Sequence, residues 1–282
     1  MAKRCILVTE GTGDRRKWRR GLALVTGASS GIGLSLAKEL TARGYNLIIC
    51  SAGVRLDEAS QELAGTGVLV LPVQADLATR EGVAELWSRV QSLGSPVDVA
   101  CLNAGVGVGG RFQDTDLGEE LNMINLNCSG TIQLAKYVVQ HMLHQGSGKI
   151  LFTASIAGEM VAPREAVYAA TKAFVLSFAH SLNYELRDSN ITVTALQPGP
   201  TDTDFFHRAG MDDTKVGREG KSESEPGDVA RQGLDALFAG KDHVYAASAK
   251  TKLEGMLSNV VPGAVKAAMH EKMAKPIQDK AS

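Results

Sequence analysis

The stretch LALVTGASSGIGLSLAKELTARG, residues 22–44, constrains the fold more than any other part of the chain. Apolar Leu22 to Val25 make a strand that runs into a glycine turn, Thr26-Gly27-x-x-x-Gly31-x-Gly33, and the turn opens a helix. Ile32, Leu36, Ala37 and Leu40 recur at helical spacing, and Gly44 supplies a stop. Such a turn lets N–H groups at a helix N-terminus meet a phosphate, provided the helix also packs an apolar stripe on the sheet. An earlier stretch, ILVTEGTG at residues 6–13, has the strand and the glycines but fails that test. Only DRRKWRRG separates it from Leu22, and a crossover between parallel strands needs about a dozen residues. The second loop is therefore the one that can cradle a nucleotide.

Short apolar runs near residues 46–50, 68–73, 97–102, 149–153, 191–196 and 243–246 follow the first strand. They alternate with helical patterns near 57–64, 79–93, 116–144, 165–187 and 226–239. This order predicts an α/β fold: one doubly wound, mainly parallel, seven-stranded sheet with helices on both faces. No linker interrupts the alternation from residue 21 to 250, which reads as one domain. Residues 201–225 are polar, contain glycine and follow a strand's carboxyl end, so they read as a substrate lid. Residues 251–282 read as a helical tail in which Leu253, Met256, Leu257 and Val260 share a face. That tail could cap the pocket, meet a second subunit or pack on the surface; packing or subunit contact is favoured over a membrane role.

Charge narrows the partners. With 30 Lys and Arg against 31 Asp and Glu, no polyanion-binding character shows, and a small molecule is the expected partner. Residues 1–20 hold seven basic side chains against two acids. A targeting peptide or a nucleic-acid arm has that look, but the segment is too polar to fold alone and reads as a disordered extension. No nucleic-acid role is expected, because the remainder carries no basic excess. Cys5, Cys50, Cys101 and Cys128 show no CxxC spacing, and no apolar run approaches the roughly 18 residues of a membrane span. A cytoplasmic chain with reduced thiols is the expectation. His141 and His144 lack a partner cluster, so no metal site is expected. His180, Phe174 and Phe178 read as packing residues.

The chemistry concentrates in EAVYAATKAFVLSFAHSL, where Tyr168 and Lys172 lie four apart on one helical face. Ser155 stands 13 residues before Tyr168, just after the strand ILFT. CLNAG at residues 101–105 and QPGPTDT at 197–203 also sit at strand ends. Taken together, these motifs resemble the short-chain dehydrogenase/reductase family over residues 22–247, in its single-domain branch with three residues between the first two glycines of the loop.

The resemblance implies a Rossmann-type fold and an NAD(P)-dependent oxidoreductase that moves a hydride between nicotinamide and a carbonyl or alcohol. It places Ser155, Tyr168, Lys172 and Asn127 on the catalytic positions; Asn127 is preferred to Asn125 by aligning on Gly130. Tyr168 would be the acid/base, Ser155 would hold the substrate oxygen, Lys172 would also hold the nicotinamide ribose, and Asn127 would anchor a proton-relaying water. The implied cofactor set is Thr26, Gly27, Ser29, Ser30, Gly31, Ile32, Gly33, Ser51, Arg55, Asp76, Leu77, Asn103, Ala104, Gly105, Tyr168, Lys172, Pro198, Gly199, Thr201 and Thr203. Asp76 and Leu77 fall at the adenine, and Pro198, Gly199 and Thr203 at the nicotinamide. A homodimer or homotetramer is also implied, through the helix at 116–144 and the face bearing His180. A non-catalytic dinucleotide-binding regulatory module is the rival reading, but such a module has no need of all four catalytic positions.

A free tyrosine titrates near 10, and bringing Tyr168 close to 7 takes roughly 4 kcal/mol. A lysine ammonium about 4 Å away is worth a comparable amount at an effective dielectric near 20. The expectation is a phenol shifted downwards by Lys172 together with the charge of the oxidised nicotinamide. Cofactor choice turns on IICSAGVRLDE: the position where an NAD enzyme carries a carboxylate is Ser51 or Ala52, and the first acid is Asp57. Arg55 is near enough to meet a 2′-phosphate, so NADP(H) is favoured over NAD(H). Segments 106–110, 158–163 and 204–211 should line the substrate pocket, with Met160, Val161, Phe205 and Phe206 suiting a small, largely apolar carbonyl or alcohol.

Overall fold

A computed structural model of the chain describes residues 21–215, 218, 224–246 and 263–277. The basic segment 1–20 and the stripe from Leu253 to Val260 lie outside the described residues, as does part of the lid. Seven strands form one sheet in the order β3-β2-β1-β4-β5-β6-β7, and every pairing is parallel. They are β1 (Leu22–Thr26), β2 (Asn46–Ser51), β3 (Val70–Gln74), β4 (Val99–Leu102), β5 (Gly148–Thr153), β6 (Ile191–Pro198) and β7 (His243–Ala246).

The strands are nearly continuous apolar runs because both sheet faces are covered. Alternation shows within each strand: Leu22, Leu24, Ile48 and Cys50 enter one core cluster, whereas Ala23, Val25, Leu47 and Ile49 enter the other. The first core is closed by α3 (Arg80–Ser92), α5 (Thr131–Gln145) and α6 (Ala166–Glu185), through Leu86, Trp87, Leu134, Val138, Val175 and Ala179. The second is closed by α1 (Gly31–Ala42), α2 (Leu56–Ala64) and α8 (Pro226–Phe238), through Leu36, Leu40, Leu63, Val229 and Leu234. Strand order reverses between β1 and β4, and in sheets of this class the crevice at that reversal is where ligands bind.

The helix expected over 116–144 is more articulated than its periodicity suggests. It runs as α4 (Leu117–Ile124), a π-helical turn over Asn125–Gly130, and α5. Asp116 caps its start by accepting from the Glu119 N–H at 3.0 Å. At its inner end Gly130 presses on the backbone after β3, where a Cβ would lie 2.0 Å from the Leu77 carbonyl oxygen. The wide turn carries Asn127 inwards. Beyond β6, the segment expected to act as a lid carries a short helix α7 (Phe205–Arg208), and α9 (Gly263–Ala274) packs its Ala274 against Phe206, Ala209 and Met211.

Candidate active site

Strands β1, β4 and β5 end side by side, and their polar termini hold one another. The Thr26 hydroxyl accepts from the N–H groups of Asn103 (2.9 Å) and Ala104 (3.0 Å). Asn103 returns its amide to the Thr26 carbonyl at 3.0 Å, and its Oδ1 accepts from the Thr153 hydroxyl at 3.0 Å. Thr26 is thereby consumed as a fastener: it is buried and does not line the cleft. The turn that follows depends on missing side chains. Gly27 has φ +66°, and a Cβ on Gly33 would stand 2.2 Å from the Gly27 carbonyl oxygen. Ser30, at the N-cap of α1, makes no side-chain cap, so the start of α1 remains open to a ligand's oxygens.

The cleft in front of this turn has a volume of about 580 Å³. Except for Thr26 and Asn127, all of the expected cofactor and catalytic residues line it. Ser29 and Ser51 bring their hydroxyls to 2.9 Å from each other. Arg55 also lines the cleft, but its guanidinium donates to Asp204 of the lid at 2.5 Å, and this holds the Asp204 carboxyl below its usual range. The glycine cradle, the uncapped helix start and the row of neutral hydroxyl donors fit a dinucleotide.

Around the other end of the cleft stand Ser155, Tyr168 and Lys172. Ser155 accepts from the Ala157 N–H at 3.1 Å, which starts a 3-10 turn over Ile156–Glu159, and it shares the cleft wall with Tyr168. Lys172 donates to the Thr153 carbonyl at 2.9 Å and lies 5.8 Å from the centre of the Tyr168 ring. The protein's own groups do not by themselves lower the phenol. Burial pushes the Tyr168 phenol up, the charge of Glu165 adds to that, and the Ser155 hydroxyl opposes it. Burial likewise pulls Lys172 down, to about 8. Desolvation is the largest influence on both groups.

Asn127 stands behind this wall. Its Oδ1 accepts from the Val106 N–H at 3.0 Å, and its Nδ2 donates to the Val106 carbonyl (2.9 Å) and the Thr171 hydroxyl (3.0 Å). The side chain holds the backbone after β4 against α6.

Of the expected substrate-pocket residues, Met160, Phe205 and Phe206 line the cleft. Val161 does not: the chain is extended at Met160, which sends Met160 inwards and leaves Val161 50% exposed. His141 is a structural residue whose Nε2 accepts from the Val97 N–H at 3.2 Å beside Trp87. Among the described residues no group of three metal-type side chains comes together. Arg208, within the expected segment 204–211, lines the cleft, and so do Glu165, His270 and Met273, which sequence reasoning passed over. The last two come from α9, so the tail's described helix lies at the pocket.

The chain is similar to known proteins over most of its length. Residues 21–214 match the family model described as short chain dehydrogenase. Dehydrogenase/reductase SDR family member 7B of Mus musculus is 31% identical over 250 residues, spanning 86% of this chain and 75% of the relative. A short-chain dehydrogenase from Sphingobium yanoikuyae, solved in complex with NADPH, superposes with a TM-score of 0.75 at 28% identity, covering 93% of this chain and 98% of that one. A short chain dehydrogenase/reductase from Burkholderia phymatum, solved in complex with NAD, shares the fold with a TM-score of 0.76 at 22% identity, over 86% of this chain and 92% of that one.

Proposed function

Because this chain belongs to the short chain dehydrogenase family and is an oxidoreductase acting on CH–OH groups with a nicotinamide dinucleotide, we propose that Tyr168 is its acid/base group. The observation that carries this is the meeting of Tyr168, Ser155 and Lys172 on one wall of the cleft that the glycine turn opens. When bound, the cofactor supplies or accepts the hydride. Gly27 to Gly33 and the start of α1 hold its pyrophosphate, Asp76 and Leu77 its adenine, and Pro198, Gly199, Thr201 and Thr203 its nicotinamide end. Ser155 donates to the substrate oxygen and orients it towards Tyr168.

Tyr168 gives its proton to that oxygen in reduction and takes it back in oxidation. Lys172 holds the ribose and, as a cation beside the phenol, favours the tyrosinate once the cofactor's charge joins it. The Asn127 side chain keeps the 103–106 backbone in register with α6, and a water anchored at Asn127 relays protons to Lys172. The preferred cofactor is NADP(H): Ser51 ends β2 with no carboxylate, Arg55 is within the cleft, and the Sphingobium relative was solved with NADPH. The substrate is a small, largely apolar carbonyl or alcohol, received by Val106, Met160, Phe205, Phe206 and Met273.

The protein works as a homodimer or homotetramer. Leu117, Leu121 and Ile124 on α4 and Ile132 on α5 are exposed apolar side chains that a second copy can cover. It resides in the cytoplasm, where Cys50, Cys101 and Cys128, all free among the described residues, stay reduced. Among the described residues no helix is long and apolar enough to cross a membrane. The test is Tyr168→Phe, assayed by NADPH oxidation against a panel of alkyl and aryl ketones. Turnover should fall by at least about 10² while NADPH binding, read by fluorescence, changes little. Near-normal turnover would overturn the assignment.

A further inference from the structure

One part of the cleft wall comes from α9, beyond the residues that the family model spans. There His270 and Glu165 are both buried, at 7% and 6% exposure. His270 Nε2 stands 3.0 Å from Glu165 Oε2, and Nδ1 stands 3.0 Å from the Pro163 carbonyl oxygen. A carbonyl oxygen only accepts, so Nδ1 carries a hydrogen. The second contact then needs one further proton, on Nε2 or on the carboxyl. Glu165 is the residue that leads into α6, three positions before Tyr168, and both residues line the cleft.

The loop bearing Glu165 is held with unusual firmness. Arg164 is the one non-glycine among the described residues with positive φ, at +68°, a conformation that persists only where its surroundings impose it. Its carbonyl accepts from the Gly110 N–H at 2.8 Å, and its Nε donates to Glu271 of α9 at 2.8 Å. The far end of α9 is tied as well, by a bridge between Thr214 and Pro276 and by the Ile277 N–H on the Asp213 carbonyl at 2.9 Å.

We propose that Glu165 and His270 form a proton-holding ion pair acting on Tyr168, so that α9 completes the acid–base apparatus and His270 is a positioning residue for the reaction. The inference rests on the reading of Tyr168 as the acid/base. A carboxylate beside Tyr168 opposes tyrosinate, in keeping with the upward push that Glu165 exerts on the phenol. The proton held between His270 Nε2 and Glu165 Oε2 offsets that negative charge. The neighbouring charges leave this balance to the pair: Arg164 and Glu271 neutralise each other, while Lys172 and Arg208 line the same cleft with positive charge. Withdrawing α9 would uncover Glu165 and leave the phenol harder to ionise.

The experiment needs no substrate. In the full chain, Tyr168 is replaced by 3,5-difluorotyrosine, whose phenol ionises at lower pH, and its titration is followed by fluorine NMR. Glu165→Gln should lower the midpoint by about one unit, and His270→Gln should raise it by a comparable amount. The double variant should track Glu165→Gln alone, because His270 acts only through Glu165. A midpoint unmoved by Glu165→Gln, or a His270→Gln shift that survives in the Glu165→Gln background, would overturn the proposal. If His270→Gln does not fold, His270→Asn takes its place in both the single and the double variant. A purely structural role would change the melting temperature and leave the midpoints alone. Normal turnover of Tyr168→Phe would instead sink the underlying reading, so the two failures are distinguishable.

Discussion

The two ends of the cleft are built by different means. At the glycine turn main chain packs directly on main chain, with Gly33 under the Gly27 carbonyl, and the short buried side chains of Thr26, Asn103 and Thr153 tie three strand ends together. At the lid and α9, side chains meet side chains. Arg55 reaches Asp204, Arg164 reaches Glu271, His270 reaches Glu165, and a small cluster of Phe206, Ala209, Met211 and Ala274 supplies the apolar contact. Backbone contacts without slack admit no substitute, whereas side-chain pairs can be exchanged one for another. The glycine-turn end therefore tolerates the least change, and under the proposed function the lid end is where a different substrate would be accommodated.

The strongest way to break this contrast is Gly33→Ala. The added methyl must displace the turn or α1, and overpacking of this severity costs about 3 kcal/mol, roughly a hundredfold in NADPH affinity. A fluorescence titration that finds the affinity within threefold of wild type would show that the turn has slack after all.

Lys172 sharpens the contrast from the side of solvation. Its folded value of about 8 lies below its ordinary 10.5, so between those pH values the unfolded chain binds more protons and stability rises with pH. Wild type should therefore gain on the order of 2 kcal/mol relative to Lys172→Met on going from pH 8 to pH 10. Chemical denaturation of both proteins at the two pH values checks it. A flat difference would mean that the ammonium is better solvated than its burial implies.

Arg55 gives the smallest effect, at the boundary between the two ends. Arg55→Ala should cost about 1.5 kcal/mol, roughly tenfold, in kcat/KM with NADPH and leave NADH use nearly unchanged. Because the Arg55–Asp204 pair is half exposed, the same substitution should alter stability by less than about 0.5 kcal/mol. A loss shared equally by both cofactors would remove Arg55 from the 2′-phosphate.

The contrast also explains what could be read in advance. The glycine turn, the alternation of strands and helices, and the Tyr168 and Lys172 pair depend on neighbours a few residues away, and spacing carries that information. The π-helical turn was not legible, since it depends on Gly130 meeting Leu77 across the fold. Thr26 and Asn127 were recognisable by position, but not the direction of their side chains, which spend their hydrogen bonds behind the cleft. The upward push on Tyr168 needed its burial, which no linear spacing expresses. Glu165 and His270 were the hardest of all: a glutamate ahead of a helix and a histidine in MHEKM have no pattern to mark them, and the loop and α9 meet across 107 residues of chain.

The strand order has a consequence for how the chain is made. On its β4 side, β1 pairs with residues that arrive much later: Leu22 donates to Asp98, 76 residues onward. During synthesis β1, β2 and β3 can assemble at once, but one edge of β1 stays bare until β4 emerges, and an unpaired apolar edge invites pairing with other chains. The crevice that later receives the ligand opens along this same seam. The vulnerable interval of biogenesis and the place of binding thus share one origin, the reversal of strand order at β1.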